Sequence, residues 1–192
     1  LIIKDSKLEI NKNAIFYDGT DLIVENNSNL NVAGEVYFDN SDTELNNSSN
    51  ANFKDKLTLF DSAMLLKNSS SLNVSGVAYF EDSALVVQNG SKVMFGNNFT
   101  MKNEENRTKK SIIILDNGSE INIKGDFENH GVIYYGASAD SAPKITVDGK
   151  TTLKDTTEIG IYATSGDISN LNQVVFLESK EAIENKATDE NI

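Results

Sequence analysis

Apolar and polar residues alternate along most of the chain in short bursts. Between Leu22 and Phe38 the apolar positions fall at Leu22 and Val24, at Leu30 and Val32, and at Val36 and Phe38. A side-chain period of two marks a half-buried strand, whereas a helix would space its apolar residues three and four apart. Small polar clusters separate the pairs and read as turns.

The same phrase returns. LIVENNSNLNVAGEVYF from Leu22 is matched 42 residues on by MLLKNSSSLNVSGVAYF from Met64, which aligns Leu30 with Leu72, Val32 with Val74 and Gly34 with Gly76. Half that offset also fits: TELNNSSNANFKDKLTL starts at Thr43, and ALVVQNGSKVMFGNNFTM has Leu85 in the matching place, so the unit is 21 residues. IILDNGSEINIKGDFEN follows after 28, with the extra length assigned to Asn103–Lys110. ITVDGKTTLKDTTEIGI is set with Leu153 against Ile121, an offset of 32, and the added length is placed near Tyr135–Lys144. The first copy, Ile2–Asp18, precedes the second by 22, so Leu8 stands before Leu30.

Three strands and three turns per unit describe a coil with three sides. The predicted fold class is all-β: a right-handed single-stranded parallel β-helix of seven or more coils. One coil cannot bury its own apolar face, so the coils must stack. Leucine-rich repeats share the length but not the leucine pattern. Residues 1–161 are assigned to the β-helix. Residues 162–192 are predicted to form a terminal coil or a capping, helical tail. Val174 lies 21 residues after Leu153 and suggests one more strand, while ESKEAIENKATDENI is charged and rich in helix formers.

The turns are patterned as strongly as the strands. Asn26, Asn47, Asn68, Asn89 and Asn117 occupy one position. Two residues on stand Ser28, Ser49, Ser70, Ser91 and Ser119, with Ser6 and Thr151 extending the series. Asparagine tolerates the left-handed conformation, and its amide can bond to the amide one coil away. The series therefore predicts an internal asparagine ladder. It also creates Asn-x-Ser triplets of the glycosylation type, but recurrence once per coil favours the ladder. A second turn stacks Asp18, Asn40, Asp61, Asp82 and Asn103. Calcium wants six to eight oxygen ligands, and the alternation with asparagine favours a solvated turn instead.

The outward positions of the first strand are unexpectedly apolar: Ile23, Leu65, Val86 and Ile114. A solvated face should be polar there, so the stripe predicts a contact, either with an inserted loop or the C-terminal tail of this chain or with a partner. Cover by a segment of this chain is the first expectation. The third strand sets Tyr37 and Tyr79 outward, where they can stack on a glycan or pair along the sheet.

Composition removes several function classes. The balance of 17 Lys and Arg against 29 Asp and Glu gives a net charge of −12, the wrong sign for a free-standing nucleic-acid binder or for an anionic membrane surface. With no cysteine there is neither a disulfide framework nor a thiolate metal site. No run of apolar residues is long enough to span a bilayer as a helix. The chain starts at Leu1 inside a strand-like segment, and it is read as an excised or processed piece.

Chemistry is sparse. Arg107 lies in the charged insertion, and His130, the only histidine, sits in the polar turn GDFENHG. A lone histidine in such a turn is more often a turn residue than a catalyst. Nothing selects the two carboxylates that a glycosidase needs, and no nucleophile elbow, phosphate loop or histidine-rich metal spacing occurs. The sequence predicts no catalytic residue, no metal, no cofactor and no enzyme.

The repeats, clearest in NGSEINIKGDFENHGVI, resemble passenger segments of bacterial type V autotransporters and the repeats of filamentous haemagglutinin-like adhesins. The shared phrase is carried here by Ile121, Ile123, Gly125, Asp126, Phe127, Asn129 and Gly131. The resemblance covers residues 1–161. It implies display at the cell surface or outer membrane, or secretion after cleavage, with membrane attachment only through a C-terminal barrel absent from this sequence. It implies an adhesin or stalk, with a protein or glycan on a host or neighbouring cell as partner, and self-association as a further outcome. A vacuolating-cytotoxin-like passenger and a β-helical polysaccharide lyase or hydrolase are the alternatives.

Overall fold

The computed structural model describes residues 1–105, 109–138, 141–154, 156–165 and 174–186. It is all-β, with three parallel sheets of eight strands each stacked into a solenoid of about seven turns. The first sheet holds Ile2–Lys4, Leu22–Glu25, Thr43–Leu45, Ala63–Leu66, Ala84–Val87, Ile112–Asp116, Val132–Ser138 and Glu158–Ser165. The second begins with Lys7–Ile10 and ends with Leu177–Ser179, and the third begins with Ala14–Tyr17 and ends with Ile183–Asn185. Each coil contributes one strand to each sheet, so every strand pairs with the equivalent strand before and after it.

Register follows the repeat. Leu30 pairs with Ala51, Leu72 with Val93 and Val93 with Ile121. The paired residues of these columns point inward and are fully buried. A one-residue slip would turn a whole strand inside out, which is why the alternation specifies the pairing so firmly. Aromatic rings fill the middle coils: Phe99 stacks on Phe95 with centroids 4.3 Å apart and on Phe127 at 5.4 Å, and it meets Phe80 edge-on at 5.1 Å. Coil-to-coil approach is tight at the corner after the second strand. A Cβ on Gly76 would sit 2.7 Å from the carbonyl carbon of Asp55.

The last copies differ from the sequence alignment. Ile121 pairs with Ile145, while Leu153 pairs with Asn129 and Thr151 with Phe127. Leu153 therefore belongs to the third sheet, and Thr151 is not part of the serine series. The strand near the tail is Leu177–Ser179, and it pairs with Lys144–Val147 instead of continuing from Leu153. The described part of the tail adds strands to the second and third sheets, and none of its described residues is helical. The additional length around Tyr135–Lys144 is smaller than expected. The strand Val132–Ser138 is long and closes through a bridge between Ser138 and Ser141.

Candidate functional site

The turn series separates into two ladders with opposite facing. Asn26, Asn47, Asn68, Asn89 and Asn117 all have left-handed φ, between 46° and 58°. Their amides form a chain: Asn47 donates to Asn26 (3.1 Å), Asn68 to Asn47 (3.2 Å), Asn89 to Asn68 (3.3 Å) and Asn117 to Asn89 (3.0 Å). The ladder exists, but it lies on the outside: Asn26 is half-buried and the other four are exposed. The asparagine side chains point away from the core, and the serine two residues on fills the corner instead. Ser28, Ser49, Ser70, Ser91 and Ser119 are buried. Ser70 shows the pattern, its Oγ accepting from Ser49 N (3.2 Å) and donating to Lys67 O (2.9 Å).

A second buried serine ladder went unread. Ser41, Ser62 and Ser83 each donate a backbone N–H to the hydroxyl of the next member, Ser62, Ser83 and Ser111, at 3.1–3.2 Å. The Asn/Asp-Ser doublets at 40–41, 61–62 and 82–83 were the available signal. Asn31, Asn52 and Asn73 likewise form a side-chain chain on the outer face of the second sheet.

The turn of Asp18, Asn40, Asp61 and Asp82 is also left-handed. Two of its carboxylates, Asp61 and Asp82, bind other groups of the protein. Asp61 Oδ1 receives Lys109 Nζ at 2.7 Å, and Asp82 Oδ1 receives Glu104 N at 2.9 Å. Among the described residues, no group of three or more acidic or histidine side chains is arranged to hold a metal ion.

On the first sheet, Ile23, Leu65, Val86 and Ile114 fall in one outward row, the register running Ile2, Ile23, Glu44, Leu65, Val86, Ile114, Tyr134. Glu44 interrupts the row and is held sideways by Lys67 at 2.8 Å. All four predicted residues are half-buried. A groove of about 510 Å³ runs over Ile23, Leu65 and Val86, and strands and turns of the first sheet alone line it. No described residue of either insertion or of the tail contributes to it, so the expected cover from this chain is not supplied by any described segment. Beside it lies a second groove of about 550 Å³, which shares Asp21, Asp42 and Ala63 and is walled by Asp61, Asp82 and Lys109.

Further along the same face, the Tyr134 ring lies flat over Gly160, where a Cβ would come within 2.6 Å of two ring carbons. This is an aromatic side chain shielding a glycine of the neighbouring strand.

Tyr37 and Tyr79 occupy the outer face of the third sheet, separated by Thr58. Each is tied to an acid on its own strand, Tyr37 to Asp39 at 3.4 Å and Tyr79 to Glu81 at 2.7 Å. Burial and the neighbouring Glu81 carboxylate push the Tyr79 phenol up to about 12. Ile15 and Tyr17 extend this patch outward at the first coil. His130 Nε2 sits 2.7 Å from Glu128 Oε1, and the His130 carbonyl receives Asn103 Nδ2 and Thr156 Oγ1. The residue ties a turn together and lines neither large groove. Arg107 lies outside the described residues.

No protein-family model, curated protein or solved structure matches the chain. Functional reading therefore rests on the solenoid and its faces.

Proposed function

We propose that this chain is a non-catalytic, surface-displayed binding segment of an exported β-helical adhesin of the autotransporter-passenger kind, with the first sheet as its contact face. The supporting observation is the outward row of Ile23, Leu65, Val86 and Ile114, of which Ile23, Leu65 and Val86 line an open groove that no described segment covers. Outward side chains of a solvated sheet cost nothing as polar residues, and the second sheet uses asparagine there. Aliphatic residues at equivalent outward positions of four coils, interrupted once by Glu44, mark a surface made for apolar contact. The stacked coils hold these side chains at fixed spacing on a backbone whose ladder bonds are all made, so the face is preorganised. Display at the cell surface and a protein partner on a host or neighbouring cell follow from the resemblance of the repeats.

The test is binding of the purified chain to cultured host cells and to bacterial cells, with Leu65→Asp plus Val86→Asp as the probe. Both residues face outward, so the variant should keep its wild-type circular dichroism, with a lower melting point because the new carboxylates stack beside Glu44 in one row. Loss of cell binding by the folded double variant supports the proposal. Full retention removes the first sheet from it.

A further inference from the structure

We infer that the groove on the first sheet takes a cationic amphipathic α-helix of a protein partner, laid along the solenoid axis. The inference rests on the first sheet being the contact face.

Two rows run side by side there. One is the aliphatic row of Ile23, Leu65 and Val86, and the other is acidic, with Asp21 and Asp42 exposed at its open end. Glu44 stands between Ile23 and Leu65 in the aliphatic row, and the Asp21–Asp42 column continues as Ala63 and Ala84 beside the turn acids Asp61 and Asp82; successive coils lie about 4.8 Å apart. An extended strand lying along the axis would present same-side residues about 6.6 Å apart and fall out of step within two coils. A helix advances about 5.4 Å per turn, and residues three and four apart share a face. Its turns stay nearly in step with four coils, so one flank can carry leucine-like side chains over the apolar row. The adjacent flank then carries lysine or arginine over the acidic row.

The charge requirement is visible within the chain. Lys109, from the insertion that follows residue 102, reaches back across two coils and sets its ammonium 2.7 Å from Asp61 Oδ1. The turn acids beside Asp21 and Asp42 thus already accept one lysine supplied from outside the sheet. Asp21 and Asp42 are both exposed. Each uses Oδ1 to receive a backbone N–H from the next coil, Asp42 N at 3.4 Å and Ala63 N at 2.8 Å. Asn at either position keeps that acceptor and removes only the charge, which makes Asp→Asn a clean probe.

The experiment titrates the chain with an amphipathic peptide of leucine and lysine about 14 residues long, enough for four helical turns. Its analogue with every lysine replaced by glutamate is the control. The expected result is saturable binding of the lysine peptide, with a rise in its helicity, weakening as salt is added, and none of the glutamate peptide. Leu65→Ser plus Val86→Ser should weaken binding about tenfold or more, and Asp21→Asn plus Asp42→Asn about fivefold with a flatter salt dependence. Lys92→Ala on the second sheet should leave binding unchanged. Equal binding by all variants would mean general attraction to an acidic chain and would overturn the inference. So would loss with the Asn pair but not the Ser pair, or a dimer of the free chain that the Ser pair dissolves. If cell binding depends on Leu65 and Val86 while the peptide fails to bind, the contact face stands and its helical cationic partner falls. If both are indifferent to Leu65 and Val86, both fall.

Discussion

Truncating Phe99 to alanine tests the packing on which every face depends. Phe99 is fully buried and is the residue at which the aromatic column branches, touching Phe80, Phe95 and Phe127. A buried Phe→Ala change costs about 3–5 kcal/mol through lost transfer energy and the cavity left behind. Each ring pair adds about 0.5–1.5 kcal/mol beyond area. The backbone around Phe99 is held by parallel ladders on both sides, so the site cannot collapse to fill the void, and the upper end, about 5 kcal/mol, is expected. Phe53, equally buried but outside that set of ring contacts, supplies the comparison: Phe53→Ala should cost about 1 kcal/mol less. The assay is urea unfolding followed by circular dichroism, with the change taken from the midpoint at constant slope. Melting should fall by about 10–20 °C for a chain of this size. A loss below about 1.5 kcal/mol for Phe99→Ala, or equal losses at the two sites, would refute the reasoning.

Ser70→Ala should cost about 1–3 kcal/mol because it strands the buried Ser49 N–H, whereas Asn68→Gly on the exposed ladder should stay within about 0.5 kcal/mol, since glycine accepts the left-handed backbone; urea midpoints separate the two. Gly76→Ala should destabilise by about 1–3 kcal/mol, because its methyl meets main chain at Asp55 that only a shift of the coil can relieve. The hydrogen bond from His130, with Lys154 nearby, holds the Glu128 carboxyl below its ordinary value of 4.5. A depressed carboxylate contributes stability that is complete above that value and lost as pH falls through the folded-state value. Glu128→Gln removes that contribution and should therefore lower stability modestly at neutral pH and flatten the acid limb below about pH 4.5, as melting curves across pH would show.

Much of this fold is legible in the chain because the same columns recur at 21 residues. Leu30, Leu72 and Val93 announce their burial by alternation alone. Two things escaped. The facing of the turn ladder is not set by residue identity or by the left-handed φ alone, since Asp82 shares that φ and is buried: asparagine is equally at home in an inward or outward turn, and here the corner is filled by serine. The asparagine that is buried in the third sheet is Asn129, bonded to Gly131 O and Thr157. The last copies misaligned because Ile145 and Leu153 both lie in alternating stretches, and a change in coil length moves one into the place expected of the other. At the candidate site, the outward row was readable as aliphatic residues where polar ones belong. That the insertion sends Lys109 to Asp61, in the neighbouring groove, is something no periodicity encodes.

The central claim is that the row on the first sheet is an open contact face. The natural chain has no cysteine, so single replacements report cleanly on access. Leu65→Cys and Val86→Cys should react with a soluble thiol reagent orders of magnitude faster than Leu72→Cys, which points into the sealed core, and addition of the partner should slow them. Reaction of the two outward cysteines as slow as that of Leu72→Cys in the free protein would mean that a segment of the chain already covers the row, and would contradict the account.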